Sequence, residues 1–411
     1  MDAPILNAPA VVGQPVLRWS SHTDSLDGIE AELARIWNST QLTTEGELGH
    51  PERRISARTS VLNLVVIARQ PELGERASAV IRMLAGRHPS RTLIVSSADP
   101  DGPSWMDAHV RAHCILPRET APETCAEFID LVAGGEAGQH VAAIVAPLLV
   151  HDLPVTLWWP GDPPLVSRQA LDLLEMADRL VVDGSTWSGD GVARLRALAA
   201  LVDNHDLGGG HLAVSDFAML RQTRWREAIA SCFDLPDLRP FVHGITRIAV
   251  TYAAHDDAGD GGTNIIKPLY HVGWLASRLD MSVTNALTTE NVGRDSGGPG
   301  LGSVLVGSLR SGRRHVAVRL EPVASQTPPG TTLTVELTAE RRGGTLEVVI
   351  SAEAEAVIVR SRMDGRSMPE RRFMAPRRAE VELLAEIIES AGQDPVAIAS
   401  LRAAARLVGH G

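Results

Sequence analysis

Leu157–Pro164 (LWWPGDPP) is the most unusual segment of the chain: two adjacent tryptophans followed by a turn with three prolines. Indole is a large apolar group carrying one N–H that needs a partner, a combination favoured where proteins recognise proteins. In a strand, neighbouring side chains face opposite sides, so Trp158 and Trp159 cannot enter one core layer. The spacing predicts one indole under covering helices and the other near the carboxyl edge of a sheet, where doubly wound sheets bind ligands. Pro160, Gly161 and Asp162 would hold that edge rigid. A second cluster, Thr223–Glu227 (TRWRE), sets Arg224, Trp225 and Arg226 on a helix, and Trp274 lies in Ile265–Asp280 (IIKPLYHVGWLASRLD). Guanidinium forks beside indoles suit carboxylate, phosphate or protein-partner recognition. Arg58 (in RTSVLN, Arg58–Asn63) and Arg91 (in HPSRT, His88–Thr92) stand at expected strand entrances, and Asp183–Ser185 (DGS) follows a strand exit. Arg58, Arg91, Asp183 and Ser185 form the candidate anion-binding set.

The common catalytic signatures are missing: no GxGxxG, GxxxxGK[ST], HExxH or GxSxG occurs. The glycine clusters Gly208–Gly210 and Gly298–Gly302 do not lie between a strand and a helix and read as loops. His205 and His211 flank three glycines and His255 precedes Asp256 and Asp257, without a second ligand pair at a characteristic interval. Lys267, just ahead of Pro268, reads as a residue opening a helix. No catalytic residue, metal or cofactor is assigned.

The 411 residues carry 39 Lys+Arg against 50 Asp+Glu, a formal charge of −11, and 44% are hydrophobic. That length supports two or three domains with real cores, and the acidic balance argues against nucleic acid and anionic membranes as partners. Eight tryptophans outnumber the seven Phe and Tyr combined, and Lys267 is the one lysine. Residues 301–378 hold 13 Arg and eight acids, a local +5, which reads as a mildly basic region on an acidic chain. Cys114, Cys125 and Cys232 are odd in number and contain no CxxC, so neither a disulfide framework nor a zinc ribbon is expected. The longest apolar run, Val141–Val150, is ten residues, half of what a spanning helix needs, and the first cation is Arg18. These features lead to the expectation of a soluble, reduced, cytoplasmic protein.

The elements that must position these residues follow from hydrophobic period. Helices are expected at Ser25–Ile36, Glu72–Leu84, around Glu123–Val132, around His140–Val150, Ser167–Met176 and Gly191–Val202. Strands are expected at Val61–Ala68, Arg91–Ser97, His109–Leu116, Pro154–Trp159 and Arg179–Val182. This alternation implies an α/β N-terminal domain with a doubly wound, mainly parallel sheet over residues 1–204. Residues 205–411 read as an α+β domain: helices at Phe217–Phe233 and Asn264–Arg278, a strand at Thr246–Thr251, and a Gly/Ser-rich excursion at Gly293–Arg314. Four strands follow, His315–Leu320, Thr332–Thr338, Thr345–Ile350 and Ala356–Ser361, then helices around Ala379–Ser390 and Pro395–Leu407. Alternation in TLTVELT marks an antiparallel sheet with one wet face.

LWWPGDPP, with SVLNLVV, HPSRTLIV, the DGS exit, the TRWRE helix and GWLASRLD in that order, resembles the glucose-6-phosphate dehydrogenase assembly protein family, OpcA, from about Arg58 to the C-terminal helices. The resemblance implies a non-catalytic partner that binds glucose-6-phosphate dehydrogenase and favours its active oligomer, supporting the oxidative pentose phosphate pathway. It also implies thioredoxin control in cyanobacterial members through cysteines near the C-terminus; here none follows Cys232. Trp158, Trp159, Pro160, Gly161, Asp162, Arg224, Trp225, Arg226 and Trp274 are the residues expected to meet that partner, and a phosphorylated metabolite is a further ligand class. The competing expectation is a nucleotide-sugar or phosphosugar enzyme with its pocket at the sheet edge near Trp159 and Asp183.

Overall fold

The computed structural model describes residues 13–38, 44–45, 51–52, 57–58, 60–116, 124–208, 212–255, 262–290, 303–341 and 343–409. In chain order the strands are β1 Pro15–Thr23, β2 Thr44–Glu45, β3 Pro51–Glu52, β4 Ala57–Arg58, β5 Leu62–Ile67, β6 Ser90–Ala98, β7 Trp105–Ile115, β8 Thr124–Gly134, β9 Val155–Trp159 and β10 Arg179–Val182. They continue with β11 Ala213–Asp216, β12 Ile245–Ala254, β13 Ser282–Thr289, β14 Leu305–Ser311, β15 Arg314–Ala324, β16 Thr332–Arg341, β17 Gly344–Glu353, β18 Ala356–Met363, β19 Arg366–Ser367 and β20 Arg371–Met374. The helices are α1 Leu26–Asn38, α2 Pro71–Leu84, α3 Gly135–Gln139, α4 Val141–Val145, α5 Arg168–Leu174 and α6 Val192–Gly208. After them come α7 Phe217–Leu220, α8 Thr223–Ser231, α9 Ile266–Arg278, α10 Glu380–Glu389 and α11 Pro395–Leu407.

The first sheet runs β1-β7-β8-β6-β5-β9-β10-β11, with β4 beside β8. From β8 through β6, β5 and β9 to β10 every pairing is parallel, while β7 and β1 extend the β8 edge antiparallel. The chain therefore builds outward from β5 through β6 to β8, returns to the other side of β5 as β9, and continues through β10 to β11. This is a doubly wound order with its switch point between β5 and β9. The β5 burial is nearly continuous because both faces are covered, as parallel strands require.

Two departures from the expected elements have clear causes. Residues 123–132 are expected as a helix, whereas Thr124–Gly134 form strand β8. Cys125–Ile129 are buried in succession, and the buried carboxylate that makes the segment look amphipathic, Glu127, faces Arg91. Phe217–Phe233 divides into α7 and α8, because Thr223 turns its hydroxyl to the Leu220 carbonyl at 2.8 Å and Gln222 is spent on the Lys267 carbonyl at 2.7 Å. Strands β1 to β4, β11, β13, β19 and β20 lie outside the expected elements, and β14 falls within the expected Gly/Ser-rich excursion. Cys114 and Cys125 sit directly opposite each other on β7 and β8 and are bonded, which corrects the expectation of no disulfide. Cys232 is a buried free thiol, pushed up to about 11 chiefly by desolvation.

Two compact units emerge: Met1–Val182 with His211–Val214 and Glu380–Ala391, and Asp183–Gly210 with Ser215–Ala379 and Gly392–Gly411. The first segment of the first unit runs to Val182; α10 packs on α2, and α6 packs on α11. The second unit contains a sheet ordered β13-β14-β15-β12-β16-β17-β18-β19, with β20 on β18. Apart from the parallel β12–β15 pair, its neighbours are antiparallel. One face buries Val316, Val318, Leu320, Val335, Leu337, Val348 and Ile350, and the other carries Arg, Glu and Thr, as the alternation predicts. Among the described residues no helix is long and apolar enough to cross a membrane.

Candidate functional site

The switch point of the first sheet is where an open α/β fold places a ligand, and the LWWPGDPP segment fills it. Trp158 is fully buried and Trp159 only 3% exposed, one on each side of β9. Pro160 is buried, Gly161 and Asp162 half-buried. A Cβ added at Gly161 would stand 3.0 Å from the Leu73 side chain on α2, so glycine lets the turn close against that helix. The expectation of one indole inside and one at a ligand edge becomes two indoles inside. The Trp159 N–H has no hydrogen-bond partner among the described residues.

This strand order is shared with dinucleotide-binding folds, which raises the question whether the residues fit a pyrophosphate. They do not. Such a site needs a glycine-rich turn and free amides at the following helix N-terminus. Here β5 is followed by Ala68, Arg69 and Gln70, Pro71 opens α2 without an N–H, and Glu72 puts an acid in the first turn.

The strand-entrance arginines separate. Arg91 is 4% exposed; its Nε donates to Glu127 at 2.7 Å and its Nη1 to the Leu148 carbonyl at 2.9 Å. The other Glu127 oxygen takes the Trp37 indole N–H at 2.5 Å. Arg91 is therefore an internal counter-ion, and its charge is not offered to an outside anion. Arg58 is placed in β4, but its side chain lies outside those described, as do His211, Asp256, Asp257 and Gly298–Gly302.

Asp183 and Ser185, in the second unit, belong to a dense polar cluster. Arg221 Nη1 holds both Asp183 oxygens at 2.8 and 2.7 Å, and Ser185 Oγ at 3.0 Å. Ser185 donates its hydroxyl and amide to the same carboxylate at 2.6 and 3.1 Å. Beside it, Asp216 caps α7 through the Ala218 amide at 2.7 Å, and accepts from the Gly184 amide at 2.9 Å and the Tyr270 hydroxyl at 2.7 Å. Desolvation, reinforced by the charge of Asp183, raises Asp216 to about 6, and burial drives Tyr270 well above its usual value. Asn264 opens α9, taking the Ile266 amide at 3.0 Å and donating to the carbonyls of Gly184 and Trp187 at 2.9 and 3.0 Å. The single lysine follows. Burial, then the positive charge of Arg221, lowers Lys267 to about 8.

On α8, Arg224 is exposed and pairs with Glu227 at 2.7 Å, while Arg226 turns inward to the Met219 carbonyl at 3.2 Å. Trp225 is half-buried, tilted at 54° over His271 with ring centroids 5.2 Å apart. His271 is fully buried and burial lowers it to about 3, so it is neutral. Trp274, half-buried on α9, is followed by Leu275 and Ala276 in the core.

Residues 81–200 match the family described as glucose-6-phosphate dehydrogenase subunit N-terminal domain, OpcA type, and residues 212–401 match the corresponding C-terminal domain. The chain belongs to the OpcA family. The N-terminal OpcA match takes in Arg91, LWWPGDPP and the DGS turn, and the C-terminal match takes in Asp216, Arg221, the TRWRE helix and α9. An OxPP cycle protein OpcA of Synechocystis is 27% identical over 242 residues, which are 58% of this chain and 46% of that protein. The chain thus spans about half the length of that curated relative. Solved structures with similar folds include a dehydrogenase (MviM) of Clostridium difficile, at 10% identity and TM-score 0.41 over 84% of this chain and 97% of that one. The oxidoreductase yvaA of Bacillus subtilis gives 8% and 0.44 over 86% and 97%, and the transcriptional regulator Gal80p of Kluyveromyces lactis 9% and 0.43 over 89% and 92%. Scores of that size carry nothing about activity.

Within this OpcA-family chain, sequence reasoning finds Asp183 and Ser185 but not Arg221, Asp216 or Tyr270. The available signals are the Ser215-Asp216 pair heading a helix, a cap sequence, and the acid-free start of α9, where Asn264 stands two residues before Ile266.

Proposed function

We propose that this OpcA-family protein is an assembly or activating partner of glucose-6-phosphate dehydrogenase. The reading is carried by the two family matches, both to domains named for that enzyme's subunit and together covering most of the chain. A partner shifts an oligomerisation equilibrium only by binding the active form more tightly than the inactive one. Of the residues expected to dock, those on α8 are best suited to such binding, because Arg224 is exposed and Trp225 is half-buried, a rigid aromatic edge beside an accessible charge. Trp158 and Trp159 would act from within, by holding the sheet.

The test is co-purification of the cognate dehydrogenase with and without this chain, reading complex mass and substrate dependence together. A complex of defined mass and a change in kcat or KM are expected. Trp225→Ala is expected to raise the concentration for half-activation about 30-fold, as truncating an interface tryptophan does, with circular dichroism unchanged. Absence of both co-elution and kinetic change would remove the reading; a folded Trp225→Ala variant with full activation would move the docking face elsewhere.

A further inference from the structure

Lys267 stands in the first turn of α9, largely withdrawn from water. Three aspects of this placement oppose a positive charge. Burial removes hydration, the amino end of a helix disfavours cations, and Arg221 and Arg377 add two like charges that act on it. The one acid that favours its charge, Asp183, already holds Arg221 with both oxygens. Nζ makes one long hydrogen bond, 3.5 Å to the Thr331 hydroxyl, and forms no ion pair among the described residues. A part-buried cation without a counter-ion is costly unless an anion completes it.

The surroundings supply the remaining parts of such a site. Gln222 Nε2 donates to the Lys267 carbonyl at 2.7 Å, which ties the residue after Arg221 to the first turn of α9. Arg221 keeps 26% of its side chain exposed while Asp183 orients it. Arg377 is exposed and makes no hydrogen bond or ion pair among the described residues. Thr331 contributes a hydroxyl, while Ser185, whose proton is held by Asp183, helps orient Arg221. We propose that Lys267 and Arg221, with the hydroxyl of Thr331 and the nearby charge of Arg377, bind a phosphate group, either inorganic phosphate or the monoester of a sugar phosphate. Three cations suit a dianion with three terminal oxygens better than a carboxylate. None of this depends on the dehydrogenase, so the site and the partner assignment stand or fall separately.

Isothermal titration of the full chain with inorganic phosphate, glucose 6-phosphate and glucose tests the site. Saturable binding of a phosphate-bearing ligand and none of glucose are expected. Equal affinities would identify a site that reads the oxyanion alone, and tighter glucose 6-phosphate one that also reads the sugar. Lys267→Met, which keeps the length of the side chain, is expected to weaken binding at least ~10-fold, the loss of one charge-assisted contact, while Lys267→Arg retains it. Arg377→Gln, an exposed change that leaves the fold alone, is expected to weaken it about threefold and decides the matter if Lys267→Met does not fold. No saturation by either phosphate at about 10 mM, or unchanged affinity in the folded variants, would overturn the proposal.

Discussion

Asp216 shows how a buried carboxylate can be well satisfied and still cost stability. It accepts three hydrogen bonds, yet desolvation and the neighbouring Asp183 outweigh them and raise it from 3.8 to about 6. Below pH ~4 both folded and unfolded chains hold this proton; between ~4 and ~6 only the folded chain does; above ~6 neither does. Stability therefore falls as pH rises from ~4 to ~6 and is flat beyond, by on the order of 3 kcal/mol at ~1.4 kcal/mol per pH unit. Asp216→Asn keeps a capping oxygen for the Gly184 and Ala218 amides and removes the charge. Denaturant midpoints at pH 4.5 and 7 are expected to differ less in the variant than in the parent, and an unchanged difference would assign the pH dependence to other groups. Arg91 makes the complementary point: a cation at a strand entrance reads as a ligand for anions, yet it is consumed by Glu127, whose segment reads as a helix until its partner is known.

Helices α9 and α11 meet at Gly273, where an added Cβ would lie 2.5 Å from the Ser400 carbonyl oxygen and 2.9 Å from the Ala404 amide. Both are backbone atoms and cannot swing aside. On helix propensity alone Gly273→Ala would stabilise by about 1 kcal/mol; the overlap forces the helices apart and costs about 1–3 kcal/mol. The steric term wins, and a lower urea midpoint is the expected outcome, whereas a higher one would mean the helices are not in contact there. The reason α9 carries glycine is not legible in GWLASRLD, since it resides in a helix more than a hundred residues away. The parallel series β5, β6, β9 and β10 is legible, because strands buried on both faces read as continuous apolar runs. β8 is not, because a buried carboxylate imitates the polar stripe of a helix until its arginine is known. The fate of the two tryptophans is legible in part: alternation puts them on opposite sides of β9, but what fills the switch point depends on Leu73 and Pro71 from another element.

At the scale of the whole chain, the −11 charge and the local +5 of residues 301–378 suggest a C-terminal sheet that steers an acidic partner. The ion pairs change that view. On the polar face and edge of this sheet Arg247 pairs with Glu336, Arg319 with Glu290 and Glu321, Arg360 with Glu353 and Glu370, and Arg372 with Glu353. Charges interleaved over a few ångströms cancel at distances beyond the ~8–10 Å Debye length of physiological salt. A surface that steers by net charge changes its association rate tenfold or more with salt. The local +5 already counts the acids within residues 301–378 and survives the pairing, but it is spread among interleaved pairs rather than concentrated in one patch, and in the proposed reading partner recognition rests on short-range contacts such as those of α8. The association rate with the dehydrogenase is accordingly expected to change less than about threefold between ~50 and ~200 mM salt by stopped-flow, with variants on α8 acting mainly on dissociation. A steep fall with salt would instead place docking on exposed arginines acting at long range, and Arg224→Ala would then lower the association rate.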